Sequence, residues 1–509
     1  MQPTRVERVR GVNDVLPDNY IADTYIKNIL SNCFAASGYL PLDVPLIEYT
    51  ELYLKKSGED IVARLYDFVY RNRRLCLRPE FTASVVRAYL DNLTDQPLPL
   101  RLYYHGPAFR YDNPEKVKHR QFTQMGIELI GATGAIADAE VIATACQGLN
   151  HLGLTNYKLV IGHIGVLNKF LDNLGLENRL RSFLLTNMET LRKAGKHQLE
   201  EKLHEIYPAF AVDQTEMPAY SGRKLTDVLQ AMETTEARQA VFEMLASMNI
   251  GIQGNRDPEE IVDRLLLKMQ RQDQTKQARQ ALEFMSKLGE LRGEPQQVLQ
   301  EAEKLLAAYG IGPDSLAQLR QIVEILAYYP IDSQTITLDL GISRGLQYYT
   351  GMIFEIDYPF TDEPHQICGG GRYDDLVLTL GGQDTPATGF SYSLERLRQA
   401  LHLANKLPVA KQTVQLLVVP VHTQDQGYAI TITETLRKNG YKVELDVKSR
   451  VIEANLIYAE QRQIPWLITV NQQELDHQAI SLINVTTGDR QNISVNDLIV
   501  HLIEVFTPV

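Results

Sequence analysis

The stretch from Leu102 to Gly131, LYYHGPAFRYDNPEKVKHRQFTQMGIELIG, constrains the fold of this chain more than any other. Two extended runs, Leu102 to Tyr111 and Arg120 to Ile130, flank a charged loop, Asp112 to His119, that carries Pro114, Glu115, Lys116 and Lys118. This pattern predicts two strands joined by the loop. Successive strand side chains point to opposite faces, so Phe122, Gln124, Gly126 and Glu128 share one face. Gly126, between an amide and a carboxylate, removes bulk where a half-buried strand normally places an apolar side chain. The residues predict a floor on which a small polar ligand can sit. They are equally compatible with an ordinary hairpin whose polar side faces solvent.

A chain of 509 residues is too long for one core and predicts two or three domains. Its 44% hydrophobic and 22% charged residues are the proportions of a soluble globular protein. The opening MQPTRVERVRGVNDVLPDNY lacks the apolar core of a signal peptide, and no later stretch holds about 18 uninterrupted apolar residues, so no membrane association is expected. Four cysteines, at 33, 76, 146 and 368, are too few and too scattered for a disulfide framework or a Cys-x-x-Cys metal site. A cytoplasmic protein is expected. The formal charge of −12 argues against broad nucleic-acid affinity, which depends on neutralising phosphates. Basic clusters at 71–74 and 116–120 leave room for a local RNA-binding face, or are solvated loops.

Ile21 to Ala36 has helical spacing of apolar residues and stops at Gly38; an extended run, Tyr39 to Glu48, follows and contains Pro45. In Leu77 to Thr82, Arg78 and Glu80 flank Pro79, and Thr82 is expected to cap the helix Ala83 to Leu90. From Gly131 to about Pro330 the chain reads as helical, with amphipathic segments at Ala137 to Leu152, Pro258 to Gly293 and Pro295 to Tyr309. His163 reads as a structural histidine beside an apolar strand. Ile336, Leu338 and Leu340 alternate with Thr337 and Asp339, which predicts a strand with one buried face. The loop Gly341 to Gly351 then sets Arg344 among glycines, where it can meet a phosphate or carboxylate, and Met352 to Tyr358 reads as a second strand. A glycine-rich crossing, Cys368 to Asp374, and a strand-to-helix unit, Ala387 to Leu397, come next. After a linker at 406–412, the nearly continuous apolar run Val414 to Val421 reads as a strand buried on both faces. A helix from about Asp425 to Asn439, a strand from Lys442 to Asp446, another helix and the strand Trp466 to Val470 complete a small α/β domain.

In this order the motifs resemble those of the class II aminoacyl-tRNA synthetases, and RQFTQMGIELIG is similar to the version in histidyl-tRNA synthetases. The resemblance implies an α+β fold, with an antiparallel sheet flanked by helices in a catalytic domain over 1–164 and 326–405. It implies a helical insertion at 165–325 and an anticodon-binding-like α/β domain at 413–509. The implied activity is histidine–tRNA ligase: histidine is activated with ATP, assisted by Mg²⁺, and passed to tRNA(His). Arg110 and Arg344 would be catalytic and hold the α-phosphate, and Arg396, from RGLQYYTG's downstream partner ATGFSYSLERL, would pack over adenine. Histidine would be bound by Glu80, Phe81, Thr82, Gln124, Glu128, Tyr348, Tyr349 and Tyr373. The segment Gly38 to Tyr53 resembles the first class II motif and implies a homodimer.

The same motifs are similar to a non-catalytic relative, the histidine-binding regulatory subunit of ATP phosphoribosyltransferase, whose partner would be that enzyme's catalytic subunit. Four features point that way. Gln347 stands where the family usually has aspartate, Ser393 stands where it commonly has glycine, Gly162 to Val166 is similar to the regulatory proteins, and residues 413–509 carry a net −4. Glu80, Arg110, Arg344, Arg396 and the C-terminal domain point to the enzyme.

Overall fold

Alternation along Leu100–Phe109 and Gln121–Ile130 produces an antiparallel pair in which Leu102 lies opposite Glu128, Tyr104 opposite Gly126 and Gly106 opposite Gln124. This pair lies in the interior of a nine-stranded sheet. The computed structural model describes residues 6–55, 62–111, 119–206, 274–342, 348–360, 364–408, 414–472, 479–495 and 497–506, with 239, 240, 243 and 476 as isolated positions. The chain divides into two units, Met1–Leu407 and Pro408–Val509.

In chain order the first unit holds β1 (Leu40–Pro41), β2 (Ile47–Tyr49), β3 (Tyr66–Tyr70), β4 (Arg73–Leu77), β5 (Leu100–Phe109) and β6 (Gln121–Ile130). They are followed by β7 (Lys158–His163), β8 (Arg292–Gly293), β9 (Ile336–Asp339), β10 (Met352–Pro359), β11 (Pro364–Arg372) and β12 (Ala387–Ser393). The large sheet runs β1-β5-β6-β12-β11-β10-β7-β9-β8, and a small sheet runs β2-β4-β3. Only β1 with β5 and β7 with β9 pair in parallel in the large sheet; its other ladders are antiparallel. The result is the expected α+β fold, with helices flanking the sheet.

The period of two sorts β6 between two environments. Met125, Ile127 and Leu129 face a core built with Ile26, Leu30 and Phe34 of the helix Pro17–Ala36 and with the helix Gly134–His151. The second helix is rich in buried alanines, at 135, 137, 139, 143 and 145, which lets it lie close to the sheet. The opposite face, carrying Gln124, Gly126 and Glu128, meets a second cluster that includes Phe81, Val85, Tyr104, Tyr348 and Tyr373. The groups that surround Glu128 lie on this second face.

The helical region after β7 comprises Ile164–Asn173, Asn178–Thr186, Met188–Ile206, Thr275–Glu290, Pro295–Ala308 and Ala317–Leu326 among the described residues. These helices share the apolar core of the sheet; Phe170 and Phe284, for example, meet with ring centroids 3.9 Å apart. The predicted helical run to Gly293 ends at Glu290, because Arg292 and Gly293 pair with β9 as an edge strand.

One sequence expectation is corrected here. Asp339 is not on an exposed face: β9 lies between β7 and β8, and the buried carboxylate pairs with Arg192 at 2.9 Å and Arg292 at 3.7 Å while accepting the Gly341 N–H at 3.0 Å. The basic cluster at 71–74 is the turn and start of a hairpin. Arg71 and Asn72 take φ values of 47° and 61° between β3 and β4, and Arg74 pairs with Asp67 at 2.7 Å.

The second unit holds β13 (Leu416–Pro420), β14 (Val443–Leu445), β15 (Trp466–Val470), β16 (Ala479–Asn484) and β17 (Arg490–Ser494), in the order β14-β13-β15-β16-β17. The first three are parallel, with the helices Gln426–Lys438 and Ile452–Gln461 as crossovers. The antiparallel strands β16 and β17 extend the sheet beyond what the sequence analysis identifies. No described helix is long and apolar enough to cross a membrane.

At the end of β11 the buried Arg372 guanidinium contacts Asp138 at 2.8 Å and Asp374 at 2.9 Å, while Gln318 donates to the second Asp138 oxygen at 2.8 Å. Removing one partner strands a charge away from water. Asp138→Ala is therefore expected to destabilise the protein by about 3–5 kcal/mol, read by urea unfolding. Arg74→Ala, which breaks an exposed pair, should barely move the same midpoint.

Candidate active site

Pro79 fixes the backbone ahead of a helix that spans Thr82–Asn92. Thr82 does not cap it. The free amides of Thr82 and Ala83 donate to the Glu80 carboxylate at 2.5 and 3.1 Å, so the acid two residues upstream does the capping. The Thr82 hydroxyl is released to donate to Glu128 Oε1 at 2.8 Å. Glu80 is buried, and burial pushes its carboxyl up, against the two amides and the nearby Arg110 charge that favour the ionised form.

Glu128 is the hub of the face. Tyr104 donates to its Oε1 at 3.2 Å, and Tyr373 donates to Oε2. Burial pushes the carboxyl up to about 8, although the hydroxyls of Tyr373, Thr82 and Tyr104 favour the charged form. Three glycines give these large groups room. A Cβ at Gly389, opposite Glu128 on β12, would lie 1.8 Å from its Oε2; one at Gly126 would lie 2.8 Å from the Tyr104 hydroxyl; one at Gly371 would lie 2.9 Å from the Tyr349 ring. Gly126 thus admits a tyrosine, where the sequence predicted a ligand floor.

Aromatic rings surround the carboxylate. Phe81 stacks on Tyr104 with centroids 4.3 Å apart and planes 6° apart. Tyr348 lies 4.9 Å from Tyr349 and 5.7 Å from Tyr373, and all three are buried. Gln124, one turn of the pleat from Gly126, donates through Nε2 to Ser391 Oγ at 3.2 Å. Its Oε1 is buried with no donor among the described residues.

Arg110 is anchored beside this group, with Nε on the Pro79 carbonyl at 3.0 Å and its guanidinium 5.2 Å from the Phe122 centroid. Arg396, on the helix Leu394–Leu403, donates to the Gln366 carbonyl on β11. Its neighbour Glu395 accepts the Thr123 N–H at 2.8 Å and joins this helix to β6. Ser393 pairs with Gln124 across the ladder and directs its hydroxyl to Glu395 Oε2, 3.4 Å away. Arg344 and Gln347 lie outside the described residues. The structure thus brings together Glu80, Phe81, Thr82, Gln124, Glu128, Tyr348, Tyr349 and Tyr373, with Arg110 adjoining through Glu80. Tyr104 and Gly389 were missed. Tyr104 stands opposite Gly126, but that register exists only once the strands pair. His163 is buried and pushed down to about 4 by burial, which keeps it neutral.

Comparisons with known proteins find relatives along the whole chain. A family model described as histidyl-tRNA synthetase matches residues 11–263 and 262–397, and one described as an anticodon binding domain matches 415–504. The histidine–tRNA ligase of Methanocaldococcus jannaschii is 31% identical over 97% of this chain and 98% of its own. That of Pyrococcus abyssi is 28% identical, with the same coverage. Among solved structures, the apo histidyl-tRNA synthetase of S. aureus superposes with a TM-score of 0.60 at 24% identity, covering 98% of this chain and 99% of that one. A Bacillus halodurans structure, named as ATP phosphoribosyltransferase regulatory subunit/histidyl-tRNA synthetase, gives 0.60 at 23% identity over 90% of this chain and 97% of that one. These two structural likenesses show the fold.

Burial holds the Glu128 carboxyl up at about 8, well above the ordinary glutamate range. A raised carboxyl leaves stability whole below the unfolded value and removes it as pH climbs toward the folded one. Glu128→Gln, which cannot ionise, should therefore gain thermal stability over the unmodified protein progressively between about pH 4.5 and 8. Melting temperatures across that range check it; a constant difference would place the charge elsewhere.

Proposed function

The chain belongs to the histidyl-tRNA synthetase family, and we infer that it is a histidine–tRNA ligase whose amino-acid pocket is built around Glu128. The observation that carries this reading is the buried carboxylate ringed by three hydroxyls, with Gln124 Oε1, which has no donor among the described residues, further along the same face of β6. An imidazole N–H is the kind of donor such a carboxylate accepts. An ammonium group suits the Gln124 oxygen and the negative charge of Glu80. Phe81, Tyr348, Tyr349 and Tyr373 supply the flat apolar surroundings an imidazole ring fits. A pocket of buried acceptors rejects amino acids that leave them unmatched, which is where selectivity arises.

In this reading the histidine carboxylate attacks the ATP α-phosphate, forming histidyl-adenylate and expelling pyrophosphate. The terminal ribose hydroxyl of tRNA(His) then takes the histidyl group and AMP leaves. Arg110, moored at its Nε to Pro79, is held in one plane to meet the charge that builds on the transferring phosphate. Arg344 is assigned the same task by its resemblance to the family motif, and Arg396 the nucleotide. Mg²⁺ would enter on the triphosphate; among the described residues no three His, Cys, Asp or Glu gather to hold a metal. The proposed setting is the cytoplasm, and the second unit is assigned to the tRNA anticodon on the strength of its family match.

The regulatory reading is disfavoured by that second unit and by ligase relatives that align from end to end. A homodimer through Gly38 to Tyr53 is supported by the large apolar side chains that Leu40, Leu46, Ile47 and Tyr49 expose there. Light scattering at micromolar concentration should give twice the chain mass.

The purified protein is expected to exchange pyrophosphate into ATP only when histidine is present. Arg110→Ala should slow that exchange roughly a hundredfold, about 3 kcal/mol, as for loss of one preorganised donor. Histidine binding without any exchange would return the regulatory reading.

A further inference from the structure

Arg78 is 2% exposed, yet it makes no ion pair among the described residues, and the carboxylate whose charge it feels most is Asp43. Its donors go to main-chain carbonyls. Nε donates to Pro107 at 2.8 Å, and Nη1 donates to Val44 and, at 3.3 Å, to Pro45. The backbone of the same residue is fixed too: its N–H donates to Leu46 at 2.9 Å and its carbonyl accepts from Phe109 at 2.9 Å. The guanidinium is therefore moored at once to the 44–46 segment and to the end of β5.

What it holds is the ring of Phe81, whose centroid lies 3.8 Å from the guanidinium carbon. Phe81 in turn stacks on Tyr104, and Tyr104 donates to Glu128. Space for the arginine comes from Gly106, where a Cβ would lie 2.5 Å from Arg78 Nη2 and 3.0 Å from Phe81 Cζ. A buried cation without a counter-charge is a poor filler, since an apolar side chain of like volume avoids the desolvation cost. A planar, rigid, multiply bonded group is instead suited to fixing the plane of an aromatic ring.

We propose that Arg78 is a positioning residue for the amino-acid pocket: moored to Val44, Pro45 and Pro107, it sets the plane of Phe81 and, through the Phe81–Tyr104 stack, the hydroxyl that donates to Glu128. This rests on the reading of that pocket as the histidine site. Arg78 touches no reacting atom in it, so its effect falls on amino-acid affinity and leaves the nucleotide alone. Loss of the Tyr104 donor removes one of the contacts that favour the charged Glu128 carboxylate, which moves its titration upward.

The test uses the full chain, with histidine affinity measured by calorimetry from pH 6 to 9 and exchange kinetics measured with histidine and ATP varied separately. Arg78→Lys keeps the charge but cannot lie flat on Phe81 or present its donors in a rigid planar fork, and is expected to weaken histidine binding about tenfold. The ATP KM and the kcat at saturating histidine should stay near the unmodified values, and the midpoint of the affinity–pH curve should rise. Gly106→Ala, which retains Arg78 and displaces it, should move histidine affinity and the midpoint in the same direction; it decides the matter if Arg78→Lys does not fold. Arg78→Met separates bulk from orientation, because a packing role predicts unmodified affinity. Unmodified affinity in Arg78→Met or Gly106→Ala, a fixed pH midpoint, or parallel loss of histidine and ATP would each overturn the proposal. If the unmodified protein binds no histidine, the pocket assignment itself falls; if it binds histidine but does not exchange, the ligase reading falls while the calorimetry still judges Arg78.

Discussion

A carboxylate taken out of water must be matched by donors or surrender its charge, and the surroundings of Glu128 answer that requirement. Thr82, Tyr104 and Tyr373 bring it three hydroxyls from three separated stretches of chain. Gly126 leaves room for the Tyr104 hydroxyl, and Gly389 for the carboxylate itself. The balance between burial and donors leaves the group pushed up to about 8. A change in any of these elements is felt at the carboxylate, because a buried polar network is only as good as its least satisfied member.

The sheet makes such a network possible by dividing labour between its faces. Met125, Ile127 and Leu129 of β6 bury against the flanking helices, which fix the strand. Gln124 and Glu128, on the other face, are thereby free to be polar. The antiparallel register then carries the polar row across to β5 and β12, so that Tyr104, Gly389 and Ser391 join residues distant in sequence. The helix Thr82–Asn92 closes this face, and its own capping by Glu80 is what frees Thr82 for Glu128. Local helix chemistry and the site are thus one hydrogen-bond system.

Buried ions elsewhere in the first unit tie helices to strands at points that flank this system. Arg372, fixed by Asp138 and Asp374, directly precedes Tyr373. Asp339, fixed by Arg192 and Arg292, stands two residues before Gly341, where the glycine-bounded stretch that carries Arg344 begins in sequence. Arg78 occupies a comparable place ahead of Glu80, but spends its charge on carbonyls and an aromatic ring. Rigid groups next to functional ones hold geometry better than loops can.

Patterns of short range were legible in the sequence: the alternation of β5 and β6, the shared face of Gln124, Gly126 and Glu128, and the α/β succession of the second unit. Periodicity reports which residues share a face because backbone geometry alone dictates it. Partnership across the sheet was not legible. That Thr82 serves Glu128 and leaves the cap to Glu80, that Tyr104 fills the room over Gly126, and that Asp339 lies buried between two arginines follow from strand order and register. Register arises from packing the whole chain, so a single residue's type carries no sign of it. The sequence by itself determined which residues are polar on an apolar scaffold; only the tertiary structure decided which of them meet, because contact across a sheet depends on pairings made far apart in the chain.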